Sequence, residues 1–548
     1  MHSLPHFPHR VSFLLPGIIG VAVVAAAFFT GVRQGAAAAP SPRLGTVLAR
    51  PGPAAQVGRS RGRRAGSKAR RLFARGRAYE TGRNVARNYA SAFRLYRAAA
   101  AAGSRAAGEQ VGVFYQKGWG VGRNYAKAAQ WFRREATAGN AASEARLGIL
   151  YNAGLGVTQN AVAAYQCFRR AARAGNLRAM NNLGVFYLTG RGTKVNALRA
   201  ARWIMRAAKG GVPTAMTTMG VLYQMGRGVK LNPAAALHWY RKAAALGDAG
   251  GLHQLGLLYR LGLAVPRSYP KAFYYERKAA AKGDAMAMND MAWMYCHELN
   301  GPQHFAKAIK WYRAAIAHGD QTGLTTLGIL YLFGQGTPPR PRLALKFFNK
   351  AAATGNAMAM VQIALMYQNG NGIPRNYPKS MRWFRRAAAR GDGEAMNDIA
   401  WAYFKGWGRP PNASLALKWM RRSALAGYTF GMQSLGQFYQ QGVGVPANNI
   451  KAMAWYHKAA QLGNPVAMNK IGLLYLGSKG IWPSKRKAAQ WFLRGAKGGD
   501  PAAMYDLGHA YLVGLGVKRN LKLARVWFTR AANHGFRAAT LMLGRPIP

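Results

Sequence analysis

The chain has 548 residues, half of them hydrophobic, and carries 78 Lys and Arg against 15 Asp and Glu, for a formal net charge of +63. Apolar residues are plentiful enough for a large core, whereas 15 acids are too few to favour chemistry that needs two carboxylates in one cleft. The positive charge attracts polyanions in a salt-dependent way. Nucleic acid, anionic lipid head groups, lipopolysaccharide and acidic polysaccharide are all candidate partners, because charge alone does not choose among them.

The N-terminus contains an apolar run over residues 11–32, with Arg10 before it and Arg33 after it. Ala36 and Ala38 fit a signal-peptide cleavage site, and we place the cut after Ala38. The run is longer than a usual signal segment, so an uncleaved membrane anchor or a buried structural helix stays open. We predict that residues 1–38 are a signal peptide or anchor. The body is then periplasmic or secreted, or alternatively anchored to the cytoplasmic membrane.

Residues 39–67 are rich in Pro, Gly, Ala, Ser and Arg, which predicts a flexible basic linker. After them, two columns recur at intervals of 36 residues without insertion or deletion. The tyrosine column is Tyr79, Tyr115, Tyr151, Tyr187, Tyr223, Tyr259, Tyr295, Tyr331, Tyr367, Tyr403, Tyr439, Tyr475 and Tyr511. The glycine column is Gly103, Gly139, Gly175, Gly211, Gly247, Gly283, Gly319, Gly355, Gly391, Gly427, Gly463, Gly499 and Gly535. Such periodicity indicates a repeat array.

Each repeat is predicted to form two helices. In the repeat from Asn176 to Gly211, Asn176 is placed to cap the first helix and Asn196 to cap the second. Apolar residues follow each cap at helical spacing, with Ala200 and Trp203 expected to pack inward. Gly211 supplies the left-handed residue that ends the second helix.

A tryptophan recurs in one slot of the second helix, and other residues fill the slot in the remaining repeats. The tryptophans are Trp131, Trp203, Trp239, Trp311, Trp383, Trp419, Trp455, Trp491 and Trp527, and the substitutes are Leu95, Cys167, Tyr275 and Phe347. Cys167 is therefore interpreted as a core residue. Cys167 and Cys296 lie four repeats apart, too far for a disulfide within one solenoid.

One repeat contains this spaced set of residues: Leu183, Gly184, Tyr187, Gly190, Gly192, Ala200, Trp203, Ala207 and Ala208. The set resembles the Sel1-like repeat, a 36-residue relative of the tetratricopeptide repeat. The resemblance covers residues 68–536 and implies an all-α, right-handed α-solenoid of about thirteen antiparallel helix pairs, used as a scaffold for protein complexes. Residues 537–548 begin a further first helix, which we interpret as a truncated cap. Some secreted relatives have a disulfide in every repeat. This sequence has no such disulfides, so the activity of those relatives is not expected of it.

Most acids have predicted capping roles. Asp248, Asp284, Asp320, Asp392 and Asp500 each follow the glycine column and are expected to cap the next first helix. Asparagine is expected to cap the second helix at Asn88, Asn124, Asn160, Asn196, Asn232, Asn376, Asn412, Asn448 and Asn520. A neutral cap keeps its hydrogen bond when carboxylates become protonated. We therefore hypothesise an acidic compartment, which offers an explanation of the high charge other than polyanion binding.

The resemblance implies that first helices line the concave face. Two adjacent columns on these helices carry short polar side chains, which can hydrogen-bond an extended peptide backbone. The groove hypothesis assigns binding to Asn181, Asn289, Asp290, Asn397, Asp398, Asn469 and Asp506. The alternative interpretation is a solvated helix face with duplicated sequence blocks.

Second helices carry basic pairs two and three positions after the tryptophan slot. These pairs predict a basic ridge on the convex surface, formed by Arg133, Arg134, Arg169, Arg170, Arg241, Lys242, Arg385, Arg386, Arg421 and Arg422. The ridge would bind a polyanion. Complementation of the helix dipole and simple solvation account for part of the same pattern.

One repeat loses its Gly-x-Gly turn between Tyr295 and Ala308, where Cys296, His297, Glu298 and His304 occur instead. These are metal-ligand residue types, but the spacing matches no short metal-binding signature, so a degenerate loop is preferred.

We expect no metal, no cofactor and no catalytic residue. The sequence predicts an exported, non-enzymatic scaffold that binds proteins or peptides in its groove, with an envelope polyanion-binding protein as the alternative.

Overall fold

A computed structural model describes residues 59–297 and 304–544, and every regular element within them is an α-helix. Two compact units are present, with the boundary between Met294 and Tyr295. The first unit contains α1 (Arg59–Thr81), α2 (Tyr89–Ala101), α3 (Arg105–Lys117), α4 (Tyr125–Thr137), α5 (Ala141–Ala153), α6 (Ala161–Arg173), α7 (Leu177–Thr189), α8 (Ala197–Lys209), α9 (Pro213–Met225), α10 (Pro233–Ala245), α11 (Ala249–Leu261), α12 (Tyr269–Ala280) and most of α13 (Ala285–Cys296).

The second unit contains α14 (Phe305–Ala317), α15 (Leu324–Phe333), α16 (Pro341–Ala353), α17 (Ala357–Asn369), α18 (Tyr377–Ala388), α19 (Gly393–Lys405), α20 (Ala413–Leu425), α21 (Thr429–Gln441), α22 (Asn449–Gln461), α23 (Pro465–Leu474), α24 (Lys485–Lys497), α25 (Pro501–Val513), α26 (Leu521–Asn533) and α27 (Arg537–Leu543).

Odd-numbered helices are the first helices of the repeats and even-numbered helices are the second helices. Within each unit, helices that follow one another in the chain pack side by side. The predicted all-α solenoid of about thirteen repeats is confirmed. The right-handed superhelix stays a prediction. Helix α1 begins at Arg59, inside the segment predicted as a linker, so residues 59–67 are helical. Residues 1–58, which include the predicted signal peptide or anchor, lie outside the described residues.

The predicted caps are present in nearly every repeat. Each of the nine asparagines accepts a hydrogen bond from the backbone N–H three residues ahead, as when Asn196 Oδ1 accepts from Arg199 N at 2.8 Å. Asp248, Asp284, Asp392 and Asp500 cap first helices in the same way. These bonds satisfy backbone donors that a helix start leaves without partners.

The prediction for Asp320 was wrong. Its carboxylate accepts from Thr322 N at 2.9 Å and from the Thr322 hydroxyl, which closes a local turn. Helix α15 consequently starts only at Leu324, with Gly323 at its cap position. Local side-chain hydrogen bonds of this kind compete with helix initiation.

The core of each repeat centres on the residue after the tryptophan slot. Ala200 and Ile204 are fully buried, whereas Trp203 packs against the same core but is only half-buried, so its predicted inward packing is partial. Gly184 lies against this core residue, because a Cβ there would be 2.3 Å from Ile204 Cγ1. Cys167 is buried, as predicted, and burial raises the pKa of its thiol to about 12.

Candidate functional site

The polar column predicted for the groove lies close to the contact between consecutive first helices. Asn181, Asn289 and Asn397 are half-buried and Asn469 is buried. The Oδ1 atoms of these four residues are inaccessible and have no hydrogen-bond partner in the part of the chain that the structure describes. The asparagine oxygens of this column are therefore not accessible on the surface that the first helices form. Buried carbonyl oxygens without donors are uncommon in proteins.

The three aspartates of the adjacent column are all half-buried, yet each has different neighbours. Asp290 accepts a hydrogen bond from Arg260 at 3.2 Å, and the Arg260 guanidinium lies 4.9 Å from the centre of the Trp293 ring. This aspartate is therefore held by a cation that is itself fixed against an aromatic ring.

Asp398 has acidic neighbours. Burial, and next the charge of Glu394, raise the pKa of Asp398 to about 8, with a smaller contribution from Asp392. Burial also raises the pKa of Glu394. Neither Asp398 nor Glu394 forms an ion pair within residues 59–297 and 304–544. This region of α19 consequently has carboxyl groups without a compensating cation, in a chain with a large excess of cations.

Asp506 is intermediate between these two cases. Burial raises its pKa, while a hydrogen bond from Asn469 and the charges of His509 and Lys470 act in the opposite direction. The structure thus brings Asn469 and Asp506 together across consecutive repeats. The remaining members of the predicted groove set are distributed along the first helices of the two units and form no single cluster.

Acids and bases are sorted between the two kinds of helix. Glu135 and Glu276 lie in second helices and Glu298 lies outside the described residues, but every other acid lies in a first helix or shortly before one. Six first helices, α9, α13, α15, α17, α21 and α25, contain no Lys or Arg. These six first helices therefore lack the positive charge that the second helices carry.

The predicted ridge residues are organised by aromatic rings. Eight cations lie over the tryptophan three positions earlier, at 4.2–5.3 Å from the ring centre; they are Arg134, Arg206, Lys242, Arg386, Arg422, Lys458, Arg494 and Arg530. Arg133, Arg385 and Arg421 donate to tyrosine hydroxyls of the next repeat at 2.9–3.0 Å. These contacts hold the charged groups at regular positions on the second helices.

Three ridge residues depart from this pattern. Arg170, in the repeat where Cys167 replaces tryptophan, donates to Glu144 at 2.6 Å. Arg169 hydrogen-bonds Tyr165. Arg241 is exposed. The ridge is therefore interrupted in the repeat where Cys167 replaces tryptophan.

A buried charged cluster in the first unit was not singled out by sequence reasoning. His253 Nδ1 lies 2.8 Å from Glu276 Oε2, and both side chains are almost completely buried. Burial acts to lower the pKa of His253, but the Glu276 carboxylate outweighs it and raises that pKa; burial also raises the pKa of Glu276. Both shifts favour protonated groups, so the pair holds a proton near neutral pH. The sequence contains one indication of this cluster: Glu276 occupies a column in which every other residue is large and apolar.

Among the described residues of the irregular loop, no cluster of metal-ligand side chains is present. Cys296 is buried, which raises the pKa of its thiol to about 12, so it is a poor nucleophile and a poor metal ligand near neutral pH. His304 immediately precedes α14, and Glu298 lies outside the described residues. Among the helices that the structure describes, none is both long and apolar enough to span a bilayer.

The sequence profile of the Sel1 repeat matches thirteen times, at residues 70–104, 109–140, 141–176, 177–212, 213–248, 249–284, 285–320, 326–356, 357–392, 393–428, 430–464, 465–500 and 501–536. The chain belongs to the Sel1 repeat family. Solenoids of this family are commonly protein-interaction scaffolds and are typically non-catalytic. The structure places the thirteen matches on the helix pairs described above.

Two solved structures are similar to this family member. A protective antigen of uropathogenic Escherichia coli with an SLR fold is 30% identical over 75% of this chain and 88% of its own, with a TM-score of 0.51. A Sel1 repeat protein from Oxalobacter formigenes is 30% identical over 56% of this chain and 89% of its own, with a TM-score of 0.43. No curated protein matches the sequence.

Proposed function

We propose that the protein is an exported, non-enzymatic scaffold that binds a protein or peptide partner on its first-helix face. The sorting of charge carries this proposal. A face that is poor in Lys and Arg, on a chain with a net charge of +63, can bind a partner without nonspecific attraction of polyanions. Half-buried Asp side chains provide acceptors on that face.

The chemistry of the face favours a partner that offers N–H donors. Asp398 and Glu394 are half-buried on α19 and form no ion pair with any described residue. A cationic side chain or a series of backbone amides would satisfy such groups and offset the cost of burying them. An extended or basic peptide segment is therefore the partner class that this face fits best.

The proposed location is outside the cytoplasmic membrane, in the periplasm or secreted, with membrane anchoring by residues 11–32 as the alternative. Acidic surroundings are supported by two features. The second-helix caps are neutral asparagines, and the carboxyl groups of Glu135, Glu276, Glu394, Asp398, Asp500 and Asp506 all have raised pKa values because of burial. Such groups favour the folded state more as the pH falls.

A polyanion-binding envelope protein is the second candidate, and the tryptophan-stacked cations favour it. Their regular placement along the second helices would present an ordered series of charges to lipopolysaccharide, anionic lipid or an acidic polysaccharide. Binding of this kind would weaken steeply with added salt, because each contact releases counterions.

The two functions are separated by a capture experiment with matched variants. Tagged full-length protein is incubated with envelope extract at about 0.05 M and about 0.3 M salt, a range over which nonspecific polyanion binding falls steeply. The face variant carries Asn397→Ala and Asp398→Ala, and the ridge variant carries Arg386→Gln and Arg422→Gln. We expect the face variant to lose a protein partner that the ridge variant retains at the higher salt.

The opposite result supports the second candidate. If capture persists in the face variant but disappears in the ridge variant or at the higher salt, the partner binds through the cations. Circular dichroism of both variants checks that helical content is unchanged, so that a loss of capture reports on binding and not on unfolding.

A further inference from the structure

Glu276 occupies a slot in the second helix that is large and apolar in every other repeat. It is fully buried, like the residues of the same column: Tyr96, Phe132, Phe168, Ile204, Tyr240, Tyr312, Phe348, Phe384, Met420, Tyr456, Phe492 and Phe528. An aromatic residue at this position would stabilise the folded state by burial alone. A carboxyl group in the same place costs free energy unless a partner compensates it, so the substitution calls for a specific partner.

Three side chains from consecutive helices converge on this slot. His253 comes from α11, Glu276 from α12 and Asp290 from α13, and one nitrogen or oxygen ligand atom from each lies within 4.8 Å of the others. Glu276 Oε1 is buried and has no hydrogen-bond partner among the described residues. The carboxylate fits because Gly256 faces it, where a Cβ would be 2.4 Å from Oε1.

We propose that His253, Glu276 and Asp290 form a binding site for a divalent transition-metal ion of the zinc class. One imidazole nitrogen and two carboxylate oxygens are a donor set that suits Zn²⁺. Zinc takes such atoms at about 2.0–2.2 Å, so the three side chains need only small rotations to reach one ion. The ion would replace the proton that His253 and Glu276 share.

The surroundings supply the outer contacts that a metal site requires. Arg260 donates to Asp290 Oδ2 at 3.2 Å, which orients that carboxylate and offsets part of its charge. Hydrogen bonds from neighbouring residues commonly orient metal ligands in this way. Arg260 is in turn fixed over Trp293. A bound ion would link α11, α12 and α13 at one junction of the solenoid, independently of any partner on the first-helix face.

The test is zinc titration of the chelator-treated full-length protein by isothermal calorimetry, with metal analysis of the dialysed product. We expect one ion per chain and a zinc-dependent rise in the unfolding temperature, with weaker binding of Mn²⁺ and none of Mg²⁺. A variant with His253→Thr and Glu276→Tyr copies Thr217 and Tyr240 of the preceding repeat, so it should fold without this ion. Glu276→Gln is the isosteric second variant.

Zinc can also bind elsewhere in a chain with 11 His and two Cys, so a control variant carries Cys296→Ser and His297→Gln. This control should retain the ion. The proposal is overturned if the wild-type protein takes up no zinc, if the His253→Thr and Glu276→Tyr variant still binds one equivalent, or if Mg²⁺ binds as well as Zn²⁺.

Discussion

Helices α13 and α19 contain nearly the same sequence, Met-Asn-Asp-Met-Ala-Trp and Met-Asn-Asp-Ile-Ala-Trp, but their aspartates have different surroundings. Asp290 in α13 accepts from Arg260, close to the buried His253 and Glu276 pair. Asp398 in α19 has Glu394 and Asp392 nearby and no ion pair in the described part of the chain. The residue at the position of Arg260, three repeats later, is Gln368.

This difference shows that a repeat unit does not define its own electrostatics. The aspartate is contributed by one repeat, whereas the group that compensates it comes from the preceding one. Asp290 is paired with Arg260 of the preceding repeat, whereas Gln368 at the equivalent position offers Asp398 no cation. Burial, and next the charge of Glu394 in its own repeat, raise the pKa of Asp398 to about 8. The two helices can be made more alike or more different by single substitutions.

The largest effect is expected at the buried pair beside Asp290. Replacing His253 by Ala leaves Glu276 buried without its partner at 2.8 Å, and removal of one member of a buried pair costs about 3–5 kcal/mol. Urea unfolding of the chelator-treated protein measures the loss. The His253→Thr and Glu276→Tyr variant should recover most of it, because that combination already packs in the preceding repeat. An equal loss in both variants would contradict a role for the charge pair.

A smaller effect, with a defined pH dependence, is expected at Asp398. Its pKa is about 8 in the folded protein against an ordinary value of 3.8. The folded protein therefore holds this proton more tightly than the unfolded chain. Its stabilising contribution is complete below about pH 4 and is lost as the pH rises through 8. The titratable groups that face it are Glu394, Asp392 and the hydroxyl of Tyr428.

Asp398→Asn removes this titration. We expect the variant to match wild type near pH 4 and to be more stable by about 2 kcal/mol near pH 8, less than the full pKa shift implies because the carboxyl is partly exposed. Gln368→Arg should reduce the same loss by supplying the cation that Asp290 has. Urea midpoints between pH 4 and pH 8 measure both, and a wild-type curve parallel to that of Asp398→Asn would exclude the raised pKa.

The smallest effect is expected for Arg260→Gln, which gives Asp290 the neighbour that Asp398 has. The change removes a partly buried ion pair and a cation–π contact with Trp293, together about 1–2 kcal/mol. Hydrogen exchange of peptides from α11 and α13 detects such a loss, since repeat arrays open locally. Protection of α19 should not change. A simultaneous loss of protection in α19 would indicate that the two helices are coupled.

Much of the fold could be predicted because the repeat period is strict. The tyrosine and glycine columns located the helix pairs, and the asparagine caps formed as expected since capping depends on the backbone of the following turn. Asp320 does not cap the helix because its carboxylate is hydrogen-bonded to Thr322 in a local turn. Trp203 packs against the core but its neighbour Ile204 is the more deeply buried of the two, because i, i+3 spacing alone does not identify which of two adjacent apolar residues lies deeper.

The candidate site was less predictable. Asn289, Asp290, Asn397 and Asp398 were identified from the sequence as a polar column, but their burial and their neighbours depend on the adjacent repeat. Glu276 belongs to no motif of the repeat, so it becomes conspicuous only when its column is compared through all thirteen repeats. The signal was present in the printed sequence as one carboxylate among aromatic and aliphatic residues.

The family, the all-α repeat architecture, the positions of most caps and the excess of positive charge follow from the sequence, since each depends on local spacing or composition. Which charges meet depends on how the helices pack. His253, Glu276 and Asp290 come from three successive helices, and Arg260 reaches Asp290 across a repeat boundary. Side chains that are distant in sequence interact only after helices pack, so their pairing, burial and pKa values are properties of the assembled solenoid.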